Sequence, residues 1–202
     1  MSRKHDNELE LERKLIESLG EGHNQWTYRS DLKSEADLWR NLREKITRNN
    51  LDALNDVMLT DYEFELIKTE LLSKTTTPFN AAKWLKGENG IARITIDRED
   101  VSLGSLSLVL YSNRDIGGGI SSYEVVNQIA TKPSNADGRD RRFDITLLIN
   151  GLPIVQIELK QVRAKDGFYQ AFRQIKKYAE EGLFRNNIFS TLQLFVISNE
   201  QT

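Results

Sequence analysis

Glu158 and Lys160 stand two apart in the apolar run Ile154-Val-Gln-Ile-Glu-Leu-Lys160, and Asp144 lies fourteen positions before Glu158 in a second such run, Phe143-Asp-Ile-Thr-Leu-Leu-Ile149. Side chains alternate across a strand, so Glu158 and Lys160 share one face with about 6.6 Å of rise between them, while Val155, Ile157 and Leu159 take the other. Asn150-Gly151 between the runs predicts a hairpin. A plain two-residue hairpin would set Asp144 against Ile157 and turn the acids to opposite faces. A three-residue connection, Asn150-Gly151-Leu152, or a one-residue bulge sets Asp144 against Glu158 instead. The second register also groups Thr146 with Gln156 and keeps Phe143, Ile145, Leu147 and Ile149 on the apolar side. The odd-length loop is therefore the expectation.

Two carboxylates converging from neighbouring strands make a hard, anionic oxygen site suited to Mg2+, an ion that keeps several of its waters. A cation there polarises a phosphate, lowers the pKa of a bound water and offsets charge on a leaving oxygen. An ammonium two residues past the glutamate can orient that water or stabilise charge growing on phosphorus, and it lessens repulsion between the acids. Asp144, Glu158 and Lys160 are the expected catalytic residues, the two acids as metal ligands. Glu and Lys two apart on a strand usually decorate a solvated face. Asp144 across the hairpin and the helix that follows shift the balance. That helix, Gly167–Gly182, has Phe168, Phe172, Ile175, Ala179 and Leu183 along one side. Gln170, Gln174 and Tyr178, four apart, form a polar line able to reach phosphate or Lys160.

The elements that must position these residues can be read from periodicity. Leu9 to Leu19 recurs at helical spacing and stops at Gly20. Leu38, Trp39, Leu42 and Ile46 mark a helix opened by Ser34 with Asp37 three residues on, and Tyr62 to Leu71 marks another. A short helix over Asn80–Leu85 ends near Gly87. Strands are expected at Ala92–Asp97, Ser105–Tyr111, Tyr123–Ala130, Phe143–Ile149, Pro153–Lys160 and Thr191–Ser198, the last buried because almost wholly apolar. This order describes an α/β chain: a mixed sheet flanked by helices, with residues 1–90 as a helical lobe of the same domain and 91–202 as its core.

Composition narrows the function. The 202 residues suit one domain, and 39% apolar with 29% charged residues is ordinary for a soluble chain. With no cysteine, disulfides, thiolate zinc sites and cysteine nucleophiles are excluded. Only His5 and His23 occur, which argues against a histidine metal centre or a Ser-His-Asp triad. No apolar run approaches the roughly 20 residues of a membrane helix, and the start lacks a signal-peptide core, so a cytoplasmic protein is expected. At a net charge of −2, nucleic-acid contact would need a local patch. Residues 160–185 offer one, with Lys160, Arg163, Lys165, Arg173, Lys176, Lys177 and Arg185 against Asp166, Glu180 and Glu181. Trp26, Trp39 and Trp84 read as packing residues rather than base-stacking platforms.

The run FDITLLINGLPIVQIELK, with Gln174-Ile-Lys-Lys-Tyr178 as a Q-x3-Y motif, resembles the PD-(D/E)xK nuclease superfamily. More narrowly, it resembles the N-terminal nuclease domain of type I restriction enzyme R subunits. Leu183-Phe184 and Phe195-Val-Ile-Ser-Asn199 resemble that family's closing segments, and Leu11–Leu19 its opening helix. Phe143 stands where the family has proline. The resemblance implies a restriction-endonuclease-like core and Mg2+-dependent hydrolysis of double-stranded DNA. It also implies the Leu159 backbone carbonyl as a further ligand, Glu12 as an accessory acid near the metal, and Gln174, Tyr178 and Gln170 as DNA-positioning residues. Methyltransferase and specificity subunits would be partners. ATP would drive translocation by motor domains outside this chain, which holds no G-x4-G-K-[ST] loop. The alternatives are a stand-alone repair or recombination nuclease and a non-catalytic docking module.

Overall fold

The computed structural model describes residues 3–21, 26–113, 121–131, 141–160 and 167–198. Helices α1 (Arg3–Gly20), α2 (Glu35–Asn49), α3 (Leu51–Leu54), α4 (Asp61–Lys74), α5 (Pro78–Lys86) and α6 (Gly167–Glu180) surround strands β1 (Trp26–Tyr28), β2 (Ile91–Asp97), β3 (Ser105–Ser112), β4 (Tyr123–Thr131), β5 (Arg141–Ile149), β6 (Leu152–Leu159) and β7 (Leu194–Ser198). The main sheet has the order β1-β4-β5-β6-β7, while β2 and β3 pair separately as a hairpin. β4, β5 and β6 run antiparallel, and β1 and β7 add parallel edges. The fold is thus mixed α/β, with a five-stranded mixed sheet flanked by helices. Among the described residues, no helix is long and apolar enough to cross a membrane.

Two cores sandwich the sheet. Leu11, Leu15, Ile16 and Leu19 of α1 cover Val125, Ile145, Leu147, Ile157 and Leu159 on one face. The larger core on the other face joins Leu38, Leu42 and Ile46 of α2, Phe64, Ile67 and Leu71 of α4, Ile94 and Leu108 of the hairpin and Tyr178 of α6. The helices begin where side chains can cap them. Ser34–Asp37 and Thr60–Glu63 each form a reciprocal capping box, and Thr77 caps α5 with Pro78 in its first turn.

The structure revises four sequence expectations. Trp26–Tyr28 is a strand of the main sheet inside the region read as helical; three residues are too few to show a period. β7 is an edge strand, not a buried one: Leu194 is 53% and Phe195 36% exposed, and Thr191 belongs to a preceding 3-10 turn. Phe143 lies in the larger core with Tyr178, Phe184 and Phe189, opposite Ile145. Alternation breaks there because Gln128, next to this segment in β4, has φ 54; Val125 and Ile129 also fall in different cores.

The fourth concerns the β5–β6 turn. Ile149 pairs with Leu152, so the loop is two residues, Asn150 (φ 52) and Gly151 (φ 81), as a type I′ turn requires. A Cβ on Gly151 would come within 2.9 Å of the Leu42 backbone, so α2 also demands glycine there. The register changes further on: Leu148 pairs with Pro153 but Leu147 with Val155, leaving Ile154 as the extra residue of a bulge. The bulge, not a longer loop, moves the register by one.

Candidate active site

Beyond the bulge the pairs are Leu147–Val155, Thr146–Gln156 and Ile145–Ile157. The next step along that register sets Asp144 against Glu158. The Leu159 N–H instead donates to Asp144 Oδ2 at 2.8 Å. A strand residue projects its N–H and C=O to the same edge, so the Leu159 carbonyl faces the side occupied by Asp144. On the other edge, Lys160 N–H donates to the Ser198 carbonyl at 3.0 Å, tying the end of β6 to β7.

Glu158 is 0% exposed. Its Oε2 accepts from Gln174 Nε2 at 2.7 Å and its Oε1 from Gln156 Nε2 at 3.3 Å. Gln156 is itself held by the Thr146 hydroxyl at 2.7 Å. Burial and then the neighbouring charge of Asp144 push the Glu158 carboxyl up to about 8, and a hydrogen bond with Asp144 works in the same direction. Lys160 and the Gln156 amide oppose the rise without cancelling it. The fold therefore favours the protonated form of Glu158 beside Asp144.

Gln174 and Tyr178 turn inward. Tyr178 is 4% exposed, stacks edge-on with Phe143 and takes a 2.6 Å hydrogen bond from Gln174 on its hydroxyl. The line expected to meet phosphate or Lys160 is thus engaged with Glu158 and the core, and only Gln170 is exposed. The helix has rotated accordingly. Ala171, Tyr178 and, just past its end, Leu183 are buried, while Phe172 is 60% exposed. A buried carboxyl needs donors, and satisfying Glu158 outweighs covering one phenylalanine.

Glu12 is buried on α1 and accepts from Asn127 Nδ2 at 3.2 Å and from Gln128 Nε2. Burial, assisted by the charge of Asp144, holds its pKa above the ordinary carboxylate value. Behind it, Lys33 Nζ donates to Asn127 Oδ1 at 2.7 Å, as does the Tyr28 hydroxyl at 2.9 Å. Sequence reasoning missed this polar layer. The one available signal was a run of polar residues, Asn127-Gln128, inside a strand. Arg163 and Lys165 of the expected basic patch lie outside the described residues.

Among the described residues, no three His, Cys, Asp or Glu side chains group closely enough to hold a metal between them. Glu12 therefore senses Asp144 without forming a three-acid cage. The donor set fits a hard divalent cation of the magnesium kind: two carboxylates, one carbonyl, no nitrogen or sulfur, with room in the coordination sphere for water.

The mixed sheet thus brings two acids and a lysine to the end of one hairpin, an arrangement of oxygen donors and one ammonium able to hold a divalent cation against an anionic group. The chain matches the family described as type I restriction enzyme R protein N terminus over residues 5–202, and it belongs to that family. It is 31% identical over 196 residues to the type I restriction enzyme SsaAORF53P endonuclease subunit of Staphylococcus saprophyticus, covering 96% of this chain and 19% of that one. The SauMSSORF170P endonuclease subunit of Staphylococcus aureus is 30% identical with the same coverage. The EcoprrI endonuclease subunit of Escherichia coli is 27% identical over 191 residues, 86% of this chain and 58% of its own length. The chain thus spans about one-fifth of the staphylococcal relatives it matches.

Proposed function

We propose that this chain is the nuclease domain of a type I restriction endonuclease subunit, built on a PD-(D/E)xK core and hydrolysing phosphodiester bonds of double-stranded DNA with Mg2+. The observation that carries the reading is the meeting of Asp144 and buried Glu158 across the bulged hairpin, with Lys160 two residues on. When bound, the ion supplies electrophilic polarisation of the scissile phosphate and charge balance for the leaving oxygen. Asp144 and Glu158 would hold it, with the Leu159 carbonyl beside them. Gln156 and Gln174 orient the Glu158 carboxyl, and Asp144 is braced by the Leu159 N–H. Lys160 places its ammonium beside the acids, where it can stabilise charge building on phosphorus; losing such a stabiliser costs about 10²–10³ in rate. ATP-driven translocation and target recognition fall to other parts of the subunit and to methyltransferase and specificity partners, in the cytoplasm. The relatives are named type I restriction enzyme endonuclease subunits, which supports reading the chain as part of such a subunit.

The test is strand scission. Asp144→Ala or Lys160→Ala in the complete restriction enzyme should abolish cleavage of plasmid DNA and leave ATP hydrolysis intact. Cutting at the wild-type rate by either variant refutes the assignment. Cutting by the 202-residue chain alone, without ATP, would favour a stand-alone nuclease instead.

A further inference from the structure

On α6, Lys176 faces Glu180 and Lys177 faces Glu181 just past the helix end, each at 3.8 Å, which among the described residues leaves Arg173 as a single exposed cation there. A different concentration of positive charge lines a cleft of about 780 Å3 between the end of α4, α5 and the start of β2. Lys74, Lys83, Lys86 and Arg93 border it against one acid, Glu88, so four cations less one anion leave +3 in a chain whose total is −2. Lys74 is shared with Glu70 at 2.9 Å. Among the described residues, Lys83, Lys86 and Arg93 have no carboxylate within ion-pair distance.

The fold sets this arrangement. Ala81 and Leu85 bury one side of α5, which leaves Lys83 and Lys86 in its last turn facing out. Gly87, at φ 59, ends the helix and turns the chain towards β2. On β2, Ala92 and Ile94 point inward and Arg93 outward. Trp84 fixes the wall between them, its Nε1 donating to the Arg93 carbonyl at 3.2 Å. Exposed, unpaired like charges repel one another and contribute nothing to the fold by themselves.

We propose that this cleft binds the sugar–phosphate backbone of duplex DNA away from the scissile bond, with Lys83, Lys86 and Arg93 as phosphate contacts. The identity of the polyanion rests on the nuclease reading above. A small anion needs enclosed, convergent donors. A row of exposed cations suits a linear polyanion carrying a charge about every 1.7 Å of axis. A neighbouring cavity is lined by Lys86, Ile154 and Gln193, which places this face beside the start of β6, with Glu158 towards its end. The four residues from Ile154 to Glu158 rise about 13 Å, against about 34 Å for one turn of B-DNA. The neighbouring cavity and Glu158 therefore lie within one turn of a duplex laid along β6.

Fluorescence anisotropy with a labelled 30-bp duplex in EDTA, where no metal-dependent cutting occurs, tests the proposal on the 202-residue chain. Lys83→Glu/Lys86→Glu/Arg93→Glu should weaken binding at least tenfold at low salt and reduce the slope of log K against log salt by 2–3, at about 0.9 per phosphate contact. Lys83→Gln/Lys86→Gln, which keeps Arg93 and avoids charge reversal, should reduce the slope by about 2 and serves if the triple variant melts early. Calorimetric Mn2+ binding should be unchanged in these variants, whereas Asp144→Ala should lose Mn2+ and retain the duplex, so the cleft and the metal site fail separately. Unchanged affinity and slope in folded variants overturns the proposal. So does failure of the wild type to bind duplex at low salt, or capture of inorganic tripolyphosphate in its place.

Discussion

Glu63 on α4 is 1% exposed and Glu158 on β6 is 0% exposed, yet the groups around them are opposite in kind. Glu63 meets the Arg98 guanidinium at 2.6 Å and accepts the N–H groups of Thr60 and Glu99 at 2.9 and 3.0 Å. Burial pushes its carboxyl up, but these donors outweigh burial and hold it below the ordinary value. Glu124 is likewise ringed by donors, with Arg29 at 2.5 Å, Lys45 at 2.8 Å and Asn41 at 2.8 Å. Glu158 has two amides, a second acid pressing on it and a lysine too weak to compensate. An acid neutralised within the fold joins elements together: Glu63 ties α4 to the chain leaving β2, and Glu124 ties β4 to α2. An acid left under-compensated keeps its proton instead, and on the proposed reading a bound cation would displace it.

The largest effect that sharpens this contrast is loss of a cation from the frame. Arg98→Met leaves Glu63 buried without its partner and should destabilise the chain by about 3–5 kcal/mol in urea unfolding. A change below about 1 kcal/mol would mean Glu63 is not held by charge.

Next comes pH. Because the folded Glu158 carboxyl sits near 8, above its ordinary 4.5, the folded state binds the extra proton between those values. The stability carried by that proton is fully present below about pH 4.5 and lost as pH rises to about 8, a change on the order of a few kcal/mol. Glu63 runs the other way: its lowered pKa contributes stability above the ordinary value that is lost as pH falls. Glu158→Gln should remove the alkaline loss, and Mg2+ should raise the melting temperature more at pH 8.5 than at pH 5. Equal shifts at both pH values would break the comparison.

The smallest effect belongs to the brace. Gln174→Leu removes a donor from Glu158 and should cost about 1 kcal/mol in stability. It should also weaken Mn2+ binding by about 10–100-fold in calorimetry. Unaltered metal affinity would make Gln174 a packing residue only.

Much of the site was legible in the chain because strand alternation is a local rule. Two polar positions in apolar strands, a lysine at i+2 and an Asn-Gly turn place Asp144 and Glu158 on neighbouring segments. Their convergence was foreseen with the wrong device: the turn is two residues, and Ile154 provides the shift. Nothing in the composition of Pro153-Ile154-Val155 announces a bulge. The rotation of α6 was not legible either, because apolar periodicity favours burying Phe172, and only the presence of Glu158 beneath the helix makes Gln174 the better inward residue.

Local chemistry, then, was determined by the sequence itself: the helix caps at Ser34, Thr60 and Thr77, the reversal at Asn150-Gly151, and the placing of Glu158 and Lys160 on one strand face. These depend on neighbours a few positions apart, whose energies are set before the chain folds. Tertiary structure alone decided which strand lies at the sheet edge, where alternation breaks at Gln128, how Glu12 reaches β4 and which cations remain unpaired beside α5. Each of those depends on the burial and charge supplied by segments distant in the chain, and no window of sequence contains that sum.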